Sequence, residues 1–388
     1  MHLAESGDPT ALSAALRERF AERVGEPPTV VGRAPGRVNL IGEHTDYNAG
    51  LCLPVALPHA TYAAARARAD DRVRVASLQQ DDGWEGTLDE AASAPGWAGY
   101  AAGVLWALRE AGHAVPGVDL VVDSRVPLGA GLSSSAALEC AVGAAAAGLL
   151  GLDLADEGVR EALVAAGMRA ETEVVGAPTG GMDQTVAVRG EAGHALLIDF
   201  GPGGGTTQVP LDLAGHTLLV TDTRVSHELV DGGYAARRAD CEAAAAALGL
   251  DTLREATLEP VETLDDERVR RRATHIVTEI ARVTATVAAL EAGDWAEVGR
   301  LFDASHASMR DDFEISCPEL DVAVAVAVEA GAVAARMTGG GFGGSSVAVV
   351  ADERVDAVVR AVDAAFVREG FRSPVHLRAV PSDGAALV

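Results

Sequence analysis

The chain has 388 residues, of which 48% are hydrophobic and 23% are charged, and its formal net charge is −26 at pH 7. This length and balance predict a soluble globular protein with about two domains. The negative charge argues against a nucleic-acid surface and against anionic membranes, but nucleotides stay possible because an arginine or a metal ion can reverse the field inside a site.

Individual residue types narrow the chemistry further. The sequence contains no lysine, which excludes a P-loop lysine, a protein-kinase lysine and a Schiff-base lysine. The four cysteines are far apart without CxxC spacing, which predicts neither zinc site nor disulfides and favours a reducing, cytoplasmic location. The amino terminus, with Glu5 and Asp8, lacks the apolar core of a signal peptide, and the longest apolar run, 140–152, is too short for a membrane span.

The first elements are a helix and an extended segment. Residues 10–24 have apolar residues at helical spacing, with charges on the other face. Residues 28–41 are expected to be extended, and alternation along this segment turns Val38 toward a core and Arg37 toward the opposite face, where it can line a cleft.

The loop at residues 42–47 (GEHTDY) is rich in hydrogen-bonding groups, namely Glu43, His44, Thr45 and Asp46. Such a set suits a polyhydroxylated ligand, but a solvated turn explains the composition equally well. Metal binding by His44 is less favoured, because no second histidine lies at ligand spacing.

A phosphate-binding layout follows. Residues 62–78 are expected to form a strand, residues 96–108 an amphipathic helix, and residues 118–122 a short buried strand. The next segment, 127–137 (PLGAGLSSSAA), joins glycine turns and three serines to an alanine-rich helix at 136–150. Glycines allow close approach to a ligand, and the free N–H groups of a helix start attract anions.

Glu171 is a carboxylate on an otherwise apolar helical face. In a helix over 157–175, it shares one stripe with Val164, Met168 and Val175. A buried charge must be paired or must bind a metal. Arg169 is a possible partner, although it projects elsewhere on the helical wheel, so we favour Mg²⁺.

Asp183 follows a turn at residues 178–181. An aspartate in this position is usually a turn or cap residue. Val186 and Val188 predict that a strand or a helix follows and holds Asp183 rigidly. The DFG triplet at 199–201 is not a kinase motif, because no HRD precedes it and no lysine accompanies it; it reads as the end of a strand over 195–198, followed by a loop over 201–206.

The second half begins with a strand at 218–222 and is expected to form a separate domain. The elements predicted after that strand are helices over 267–312, 322–335 and 353–368, and strands over 346–350 and 374–380. The GGGFGG segment at 339–344 contains the pattern GxGxxG, but it follows a helix and precedes a strand, the reverse of a dinucleotide fingerprint. We expect it to be a loop that closes over the nucleotide from the second domain.

Four motifs together resemble a known family. Residues 36–50 (GRVNLIGEHTDYNAG) are similar to the galactokinase signature, and residues 127–137 resemble the nucleotide loop of the superfamily of galactokinases, homoserine kinases, mevalonate kinases and phosphomevalonate kinases (GHMP kinases). Residues 176–184 (GAPTGGMDQ) and 336–346 (RMTGGGFGGSS) also match, in the expected order.

The resemblance implies an α+β, two-domain GHMP-kinase-type fold. Its first domain, 1–210, would contain a mixed sheet with helices, its second, 211–388, would be an α+β sandwich, and the active site would lie in the cleft between them. The implied reaction is ATP-dependent phosphorylation of the anomeric C1 hydroxyl of α-D-galactose, with Mg²⁺ as cofactor. We expect a cytoplasmic monomer without nucleic-acid or membrane partners.

The resemblance also implies residue roles. Asp183 would be the catalytic base beside Arg37, and Ser135 and Glu171 would hold Mg²⁺. The sugar would be bound by Glu43, His44, Thr45, Asp46, Gly180 and Tyr234. ATP would be bound by Gly129, Ala130, Gly131, Leu132, Ser133, Ser134 and Ser135, and by Ser77, whose match rests on spacing alone.

Two alternatives remain open from the sequence. A related kinase for N-acetylgalactosamine or arabinose would keep the ATP and Mg²⁺ residues and change the sugar contacts. A non-catalytic sensor of galactose and ATP would tolerate the loss of Asp183 or Arg37, and the presence of both residues counts against it.

Overall fold

The computed structural model describes residues 3–177, 179–225 and 232–388. Pro178 of the predicted turn and residues 226–231, just before Tyr234, lie outside the described residues. The strands, numbered along the chain, are β1 Leu3–Ala4, β2 Val30–Asn39, β3 Leu51–Cys52, β4 Pro54–Ala67, β5 Arg72–Ser77, β6 Trp84–Thr87, β7 Val118–Ser124, β8 His194–Asp199, β9 Thr206–Pro210, β10 His216–Asp222, β11 Ala334–Thr338, β12 Ser345–Ala351, β13 Val375–Ala379 and β14 Ala386–Leu387.

Helices cover the sheets and connect them. They are α1 Pro9–Val24, α2 Trp97–Glu110, α3 Ser134–Leu150, α4 Glu157–Arg169, α5 Met182–Arg189, α6 Gly233–Leu248, α7 Leu258–Glu262, α8 Glu267–Ala292, α9 Trp295–Asp311, α10 Pro318–Glu329 and α11 Val355–Glu369. No helix in the described ranges is long and apolar enough to cross a membrane.

The first half of the chain forms a mixed sheet in the order β14-β2-β4-β7-β5-β6, in which β5 runs parallel to β7 and the other pairs are antiparallel. Helix α3 packs against β2 so closely that a Cβ atom on Gly32 would lie 2.5 Å from the backbone nitrogen of Ala145. This contact places the start of α3 near the end of β2, where Arg37 lies.

The second half contains a sheet in the order β1-β13-β10-β12-β11. Helices α10 and α11 bury an apolar face against it, as Val324 and Val358 illustrate. The two ends of the chain cross between the halves, since β1 joins this second sheet and β14 joins the first one. A small third sheet has the order β3-β8-β9. The predicted α+β fold with a mixed first sheet is confirmed.

The sheets share an apolar core. One buried cluster contains Val38 and Val55 from the first sheet together with Val220 and Val347 from the second. The cleft therefore lies at the edge of a continuous packed interface. A division of the chain near residue 210 remains our proposal; β9 ends there, and the next strand, β10, belongs to the second sheet.

Several predicted elements have different bounds in the structure, among them the helical segment 267–312, which is divided into α8 and α9. The strand predicted at 62–78 is two strands, because the chain turns between β4 and β5. The alanine-rich segment 322–335 is not one helix: α10 ends at Glu329, and Ala334 already begins β11, where pairing with β12 outweighs the helix propensity of alanine. The helix predicted at 157–175 changes at Ala170 from α-helical to π-helical geometry, which continues to Val175.

Candidate active site

Arg37 and Asp183 form the centre of the cleft. Arg37 lies near the end of β2, and its Nε and Nη2 donate to Oδ1 and Oδ2 of Asp183 at 2.7 and 2.8 Å. Asp183 lies in the first turn of α5, which settles the predicted strand or helix as a helix. The Ser133 hydroxyl donates to the same carboxylate. A fork-to-carboxylate pair of this kind fixes both the position and the plane of the acid.

The same arginine ties this acid to the glycine and serine loop. Nη1 of Arg37 donates to the carbonyl oxygen of Gly131 at 2.6 Å, and the Arg37 backbone N–H donates to that of Leu132 at 3.1 Å. The loop reaches α3 through Ser133, which has a left-handed backbone with φ of 58°. The first N–H groups of α3 have no helical partners and can bind phosphate oxygens.

The second half of the chain holds this loop from the other side. The Ser345 hydroxyl at the start of β12 donates to the carbonyl oxygen of Ala130 at 2.6 Å. A Cβ atom on Gly339 would lie 3.2 Å from the carbonyl oxygen of Gly131. The GGGFGG loop therefore lies directly against the predicted phosphate loop.

Glu171 lies on the π-helical turn, next to Ser135. Burial, and then the charge of Asp183, raise the pKa of Glu171 to about 7, whereas Gln184 and Ser135 act in the opposite direction through hydrogen bonds. Arg169 pairs instead with Glu173, its Nε donating at 2.7 Å. Within the described ranges, no basic side chain forms an ion pair with Glu171.

The donor set at this point suits Mg²⁺. A carboxylate and a hydroxyl are hard oxygen ligands, and phosphate oxygens and water would complete an octahedron. Burial and the charge of Asp183 disfavour the ionised form of Glu171, and a bound cation would offset both effects. Glu171 and Ser135 are thus fit to hold Mg²⁺, as the sequence resemblance implied.

A cavity of about 200 Å³ opens beside Asp183. Its walls come from both halves of the chain and are rich in polar groups. The lining residues are Arg37, Gly42, Glu43, His44, Asp46, Glu171, Thr179, Met182, Asp183, Tyr234, Gly339 and Gly340. The size and the polarity suit one small polyhydroxylated molecule.

Asp46 faces this cavity, and its surroundings disfavour the ionised form of its carboxyl group. Burial raises the pKa of its carboxyl group to about 6, and the Asp183 charge adds to that effect, while hydrogen bonding from the Tyr47 backbone opposes it. Gly180 packs directly on the side chain: a Cβ atom at Gly180 would lie 1.9 Å from Oδ2 of Asp46. Only glycine leaves Asp46 in this position.

Two residues of the second half of the chain bind the carboxylate of Glu43. Its carboxylate pairs with Arg336 of β11, and it also accepts a hydrogen bond from the Gly339 backbone N–H at 3.2 Å. Arg336 is fully buried and also forms an ion pair with Glu279. The pKa of Glu279 falls to about 2, because the charges of Arg282 and Arg336 outweigh the effect of burial. Burial nevertheless raises the pKa of Glu43.

His44 and Thr45 have their polar atoms engaged by the protein. Nδ1 of His44 lies 2.8 Å from the Tyr47 hydroxyl and Nε2 lies 3.1 Å from the carbonyl oxygen of Gly340, while burial lowers the pKa of the ring to about 3. The Thr45 hydroxyl contacts the carbonyl oxygens of Gly42 and Leu51 and is fully buried. His44 lines the cavity and Thr45 does not.

Tyr234 closes the cavity at the start of α6. Its ring centre lies 5.0 Å from that of His44 and 5.6 Å from that of Tyr47. The rings of Tyr234 and His44 give the cavity aromatic surface beside its carboxylates, which suits a sugar, because a sugar has both polar edges and apolar faces.

Ser77 lies farther away, in an apolar slot near the start of α3. Trp97, Leu128 and Leu138 line the same slot, next to Ser134. The Ser77 hydroxyl accepts a hydrogen bond from the Gln79 backbone N–H at 3.0 Å. From the sequence, Trp97 could face the adenine, although an aromatic residue on a helix is more often part of the core; in the structure it lines this slot.

The sequence interpretation gave no role to several residues that the structure brings to the site. Arg336 lies inside a recognised motif, and its place in a strand among apolar residues was a usable signal for a buried ion pair. Glu139 lies four residues after Ser135, and so on the same face of α3. Gln184 contacts both Glu139 and Glu171, which no local pattern could indicate.

Three family models and several known galactokinases match the sequence of this chain. The galactokinase galactose-binding signature matches residues 18–67, the N-terminal GHMP kinase domain matches 99–191, and the C-terminal GHMP kinase domain matches 286–368. A galactokinase of Streptomyces coelicolor is 49% identical to this chain, covering 97% of the chain and 98% of that protein. The galactokinase of Mycobacterium tuberculosis is 43% identical, covering 92% and 99%.

Solved structures also match this chain. Galactokinase from Lactococcus lactis, crystallised with galactose, matches with a TM-score of 0.91 at 32% identity and covers 97% of this chain and 99% of its own. A mevalonate kinase from Methanococcus jannaschii matches with a TM-score of 0.67 at 14% identity, covering 91% and 98%, and supports the fold alone.

Proposed function

This chain belongs to the galactokinase family, and on that basis we propose how its residues divide the transfer of the γ-phosphoryl group of ATP to the anomeric hydroxyl of galactose. One geometry carries the assignment: the Arg37–Asp183 pair borders a cavity of about 200 Å³ that also contains Glu171. The acceptor hydroxyl, the base and the phosphate site then share one cleft.

Asp183 accepts the proton of the C1 hydroxyl while the oxygen of that hydroxyl attacks the γ-phosphorus. The new bond joins the sugar oxygen to phosphorus, the bond between that phosphorus and the bridging oxygen breaks, and ADP leaves with the electron pair. Transfer of this kind has a loose transition state, so the protein acts mainly by positioning and by electrostatics. Proton acceptance contributes a factor of roughly 10² to 10⁴.

Arg37 orients this base and stabilises negative charge. Two of its nitrogens hold both oxygens of Asp183, and the third binds the phosphate loop. A guanidinium fork keeps three groups in a fixed relation, which a flexible ammonium group does not do. Arg37 thereby couples the position of the base to the position of the phosphates.

Phosphates bind at the N-terminus of α3, where Gly129–Ser135 provide backbone N–H groups. Ser135 and Glu171 would hold Mg²⁺, which would supply positive charge to neutralise the phosphates. The base of ATP lies in the slot of Ser77 and Trp97, because an aromatic and aliphatic lining beside the phosphate loop suits a purine.

Asp46, Glu43 and Tyr234 bind sugar hydroxyls in the cavity, and Gly180 leaves room for Asp46. His44 acts by positioning Tyr47 and the Gly340 carbonyl, since both its ring nitrogens are already engaged. Thr45 holds the loop through Gly42 and Leu51 rather than the sugar.

We further propose that the protein acts as a monomer in the cytoplasm. All four cysteines are free, and three of them are buried, which suits a reducing compartment. Light scattering after gel filtration tests the monomer, with a mass near 39.7 kDa expected.

The experiment that tests the reaction is ADP release on addition of sugar, across a panel that includes N-acetylgalactosamine and arabinose. We expect rapid ADP release with galactose and Mg²⁺ and a much slower one with the other sugars. Faster turnover of another acceptor would reassign the substrate, and no sugar-dependent ADP release would overturn the proposed reaction.

A further inference from the structure

A buried bridge of three side chains lies behind the proposed metal ligands. Nε2 of Gln184 donates to Oε2 of Glu139 at 2.8 Å and to Oε2 of Glu171 at 2.7 Å. Glu139 and Gln184 are both fully buried. One amide group therefore joins α3, α5 and the π-helical turn.

Glu139 lies in this bridge without a counter-charge. In the described parts of the chain, no basic side chain forms an ion pair with it, and its Oε1 atom has no hydrogen-bond partner. An isolated buried carboxyl group is normally neutral. Burial, and then the charge of Glu171, raise the pKa of Glu139 well above its usual range, which agrees with a neutral acid.

The fold makes room for this bridge. A Cβ atom on Gly167 of α4 would lie 3.0 Å from Cγ of Gln184 and 3.1 Å from Oε2 of Glu139. Glu139 also lies one helical turn after Ser135, so the acceptor of the bridge and the proposed hydroxyl ligand project from one face of α3.

Two acceptors define the orientation of the Gln184 amide. If the amide turned over, its oxygen would face the carboxylate of Glu171, which is unfavourable, so the N–H bonds point at the glutamates. Among the residues that the structure describes, the amide oxygen has one hydrogen-bond contact, a long one of 3.5 Å with the Thr179 hydroxyl. Without Glu139, the amide would keep one carboxylate acceptor, Oε2 of Glu171, and would lose the contact that fixes its direction from the α3 side.

We propose that Glu139 is a positioning residue for the metal site. Acting as an acceptor for Gln184, it keeps Oε2 of Glu171 occupied by the amide, so that the other carboxylate oxygen stays available to Mg²⁺ beside Ser135. The inference rests on the proposed metal-binding role of Glu171. Partners behind a metal ligand typically contribute 10-fold to 100-fold to metal affinity.

The test compares Glu139→Met with Glu139→Gln. Methionine keeps the length of the side chain and removes both oxygens, while glutamine keeps a neutral acceptor. Calorimetry measures the affinity of a non-hydrolysable ATP analogue with and without Mg²⁺, and the affinity for galactose. We expect Glu139→Met to lose about 10-fold of the Mg²⁺-dependent gain in affinity, with metal-free nucleotide and galactose affinities unchanged. Glu139→Gln should stay within about twofold of the parent protein.

Three outcomes would overturn the inference: Glu139→Met with an undiminished Mg²⁺ effect, equal losses in both variants, or an equal loss of galactose affinity. If Glu139→Met does not fold, Gln184→Met removes the bridge at its other end and must show the same selective loss.

The variant Glu171→Gln is the reference, because it changes the proposed metal ligand itself. If Glu171→Gln leaves the Mg²⁺ effect intact, the proposed metal ligand is wrong; if it abolishes that effect while Glu139→Met preserves it, only the positioning role fails.

Discussion

Arg37 donates two hydrogen bonds to Asp183, although the two residues lie 146 positions apart in the chain. The third guanidinium nitrogen of Arg37 binds the Gly131 carbonyl oxygen. A strand end, a helix start and the phosphate loop therefore meet at one arginine. The proposed base can hardly move relative to the phosphates without breaking this arrangement.

Arg37→Lys should lower kcat by roughly 10²-fold, because one ammonium group cannot reproduce the fork that orients Asp183 and binds the loop. Both KM values should change much less, since neither substrate depends on Arg37 alone. Steady-state kinetics with varied galactose and varied ATP measures this. A kcat near that of the parent protein would show that the fork is not required.

Asp183→Asn should bind both substrates and turn over roughly 10²-fold slower or worse, because the amide cannot accept the proton of the attacking hydroxyl. Calorimetric binding and single-turnover ADP formation measure the two parts separately. Near-normal turnover would remove Asp183 from the mechanism.

Gly180→Ala should raise the galactose KM at least about tenfold, since its Cβ atom would lie 1.9 Å from Oδ2 of Asp46 and force that carboxylate to move. The ATP KM should change little. The matched control is Gly205→Ala, where a Cβ atom meets nothing within 4 Å. Equal galactose KM values in the two variants would contradict the placement of Asp46.

Acidification should weaken galactose recognition through Asp46. Its pKa is about 6 instead of the ordinary 3.8, so the carboxylate gains a proton and loses acceptor capacity as pH falls through 6. We expect log kcat/KM for galactose to be flat above pH 6 and to fall below it with a slope approaching one. A pH profile of initial rates under limiting galactose measures this.

Protonation of Asp46 does not itself destabilise the fold. A carboxyl group with a raised pKa in the folded state binds protons more readily when folded, so its protonation between pH 6 and pH 4 stabilises the fold. Thermal melts over this range serve as the control. Asp46→Asn should start with weaker galactose binding and lack the step near pH 6; an unchanged step in that variant would assign it to another group.

Glu43→Ala should raise the galactose KM far more than the ATP KM, because Glu43 lines the sugar cavity and lies away from the slot of Ser77. It should also lower the melting temperature, since Arg336 loses one of its two buried carboxylate partners. The variant Glu43→Gln keeps the shape of the side chain and removes its charge, so it separates the contributions of the two. Equal changes in both KM values would take Glu43 out of the sugar site.

Local patterns in the sequence were sufficient for much of the fold. Helical spacing predicted α1, and the extended segment predicted at 28–41 contains β2; the glycines and serines before α3 predict that its start can bind an anion. The π-helical turn at Ala170–Val175 could not be predicted, because one stripe of apolar residues is compatible with both helical geometries. In the structure, this turn carries Glu171, which contacts Gln184 of α5.

The limits at the site have a similar cause. The sequence predicted that Glu171 is a buried carboxylate, but the identity of its neighbour depended on where α5 packs, and that neighbour is Gln184. His44 and Thr45 have residue types that suit sugar binding, yet only the three-dimensional structure reveals that their polar atoms already bind protein groups.

The most direct measurement is a crystal structure of the complex with galactose and a non-hydrolysable ATP analogue. Our account predicts a carboxylate oxygen of Asp183 within hydrogen-bond reach of the C1 hydroxyl, either directly or through one water, with the γ-phosphate on the opposite side of that oxygen. An Asp183 carboxylate beyond that reach, in a complex where the sugar and the nucleotide are both ordered, would contradict it.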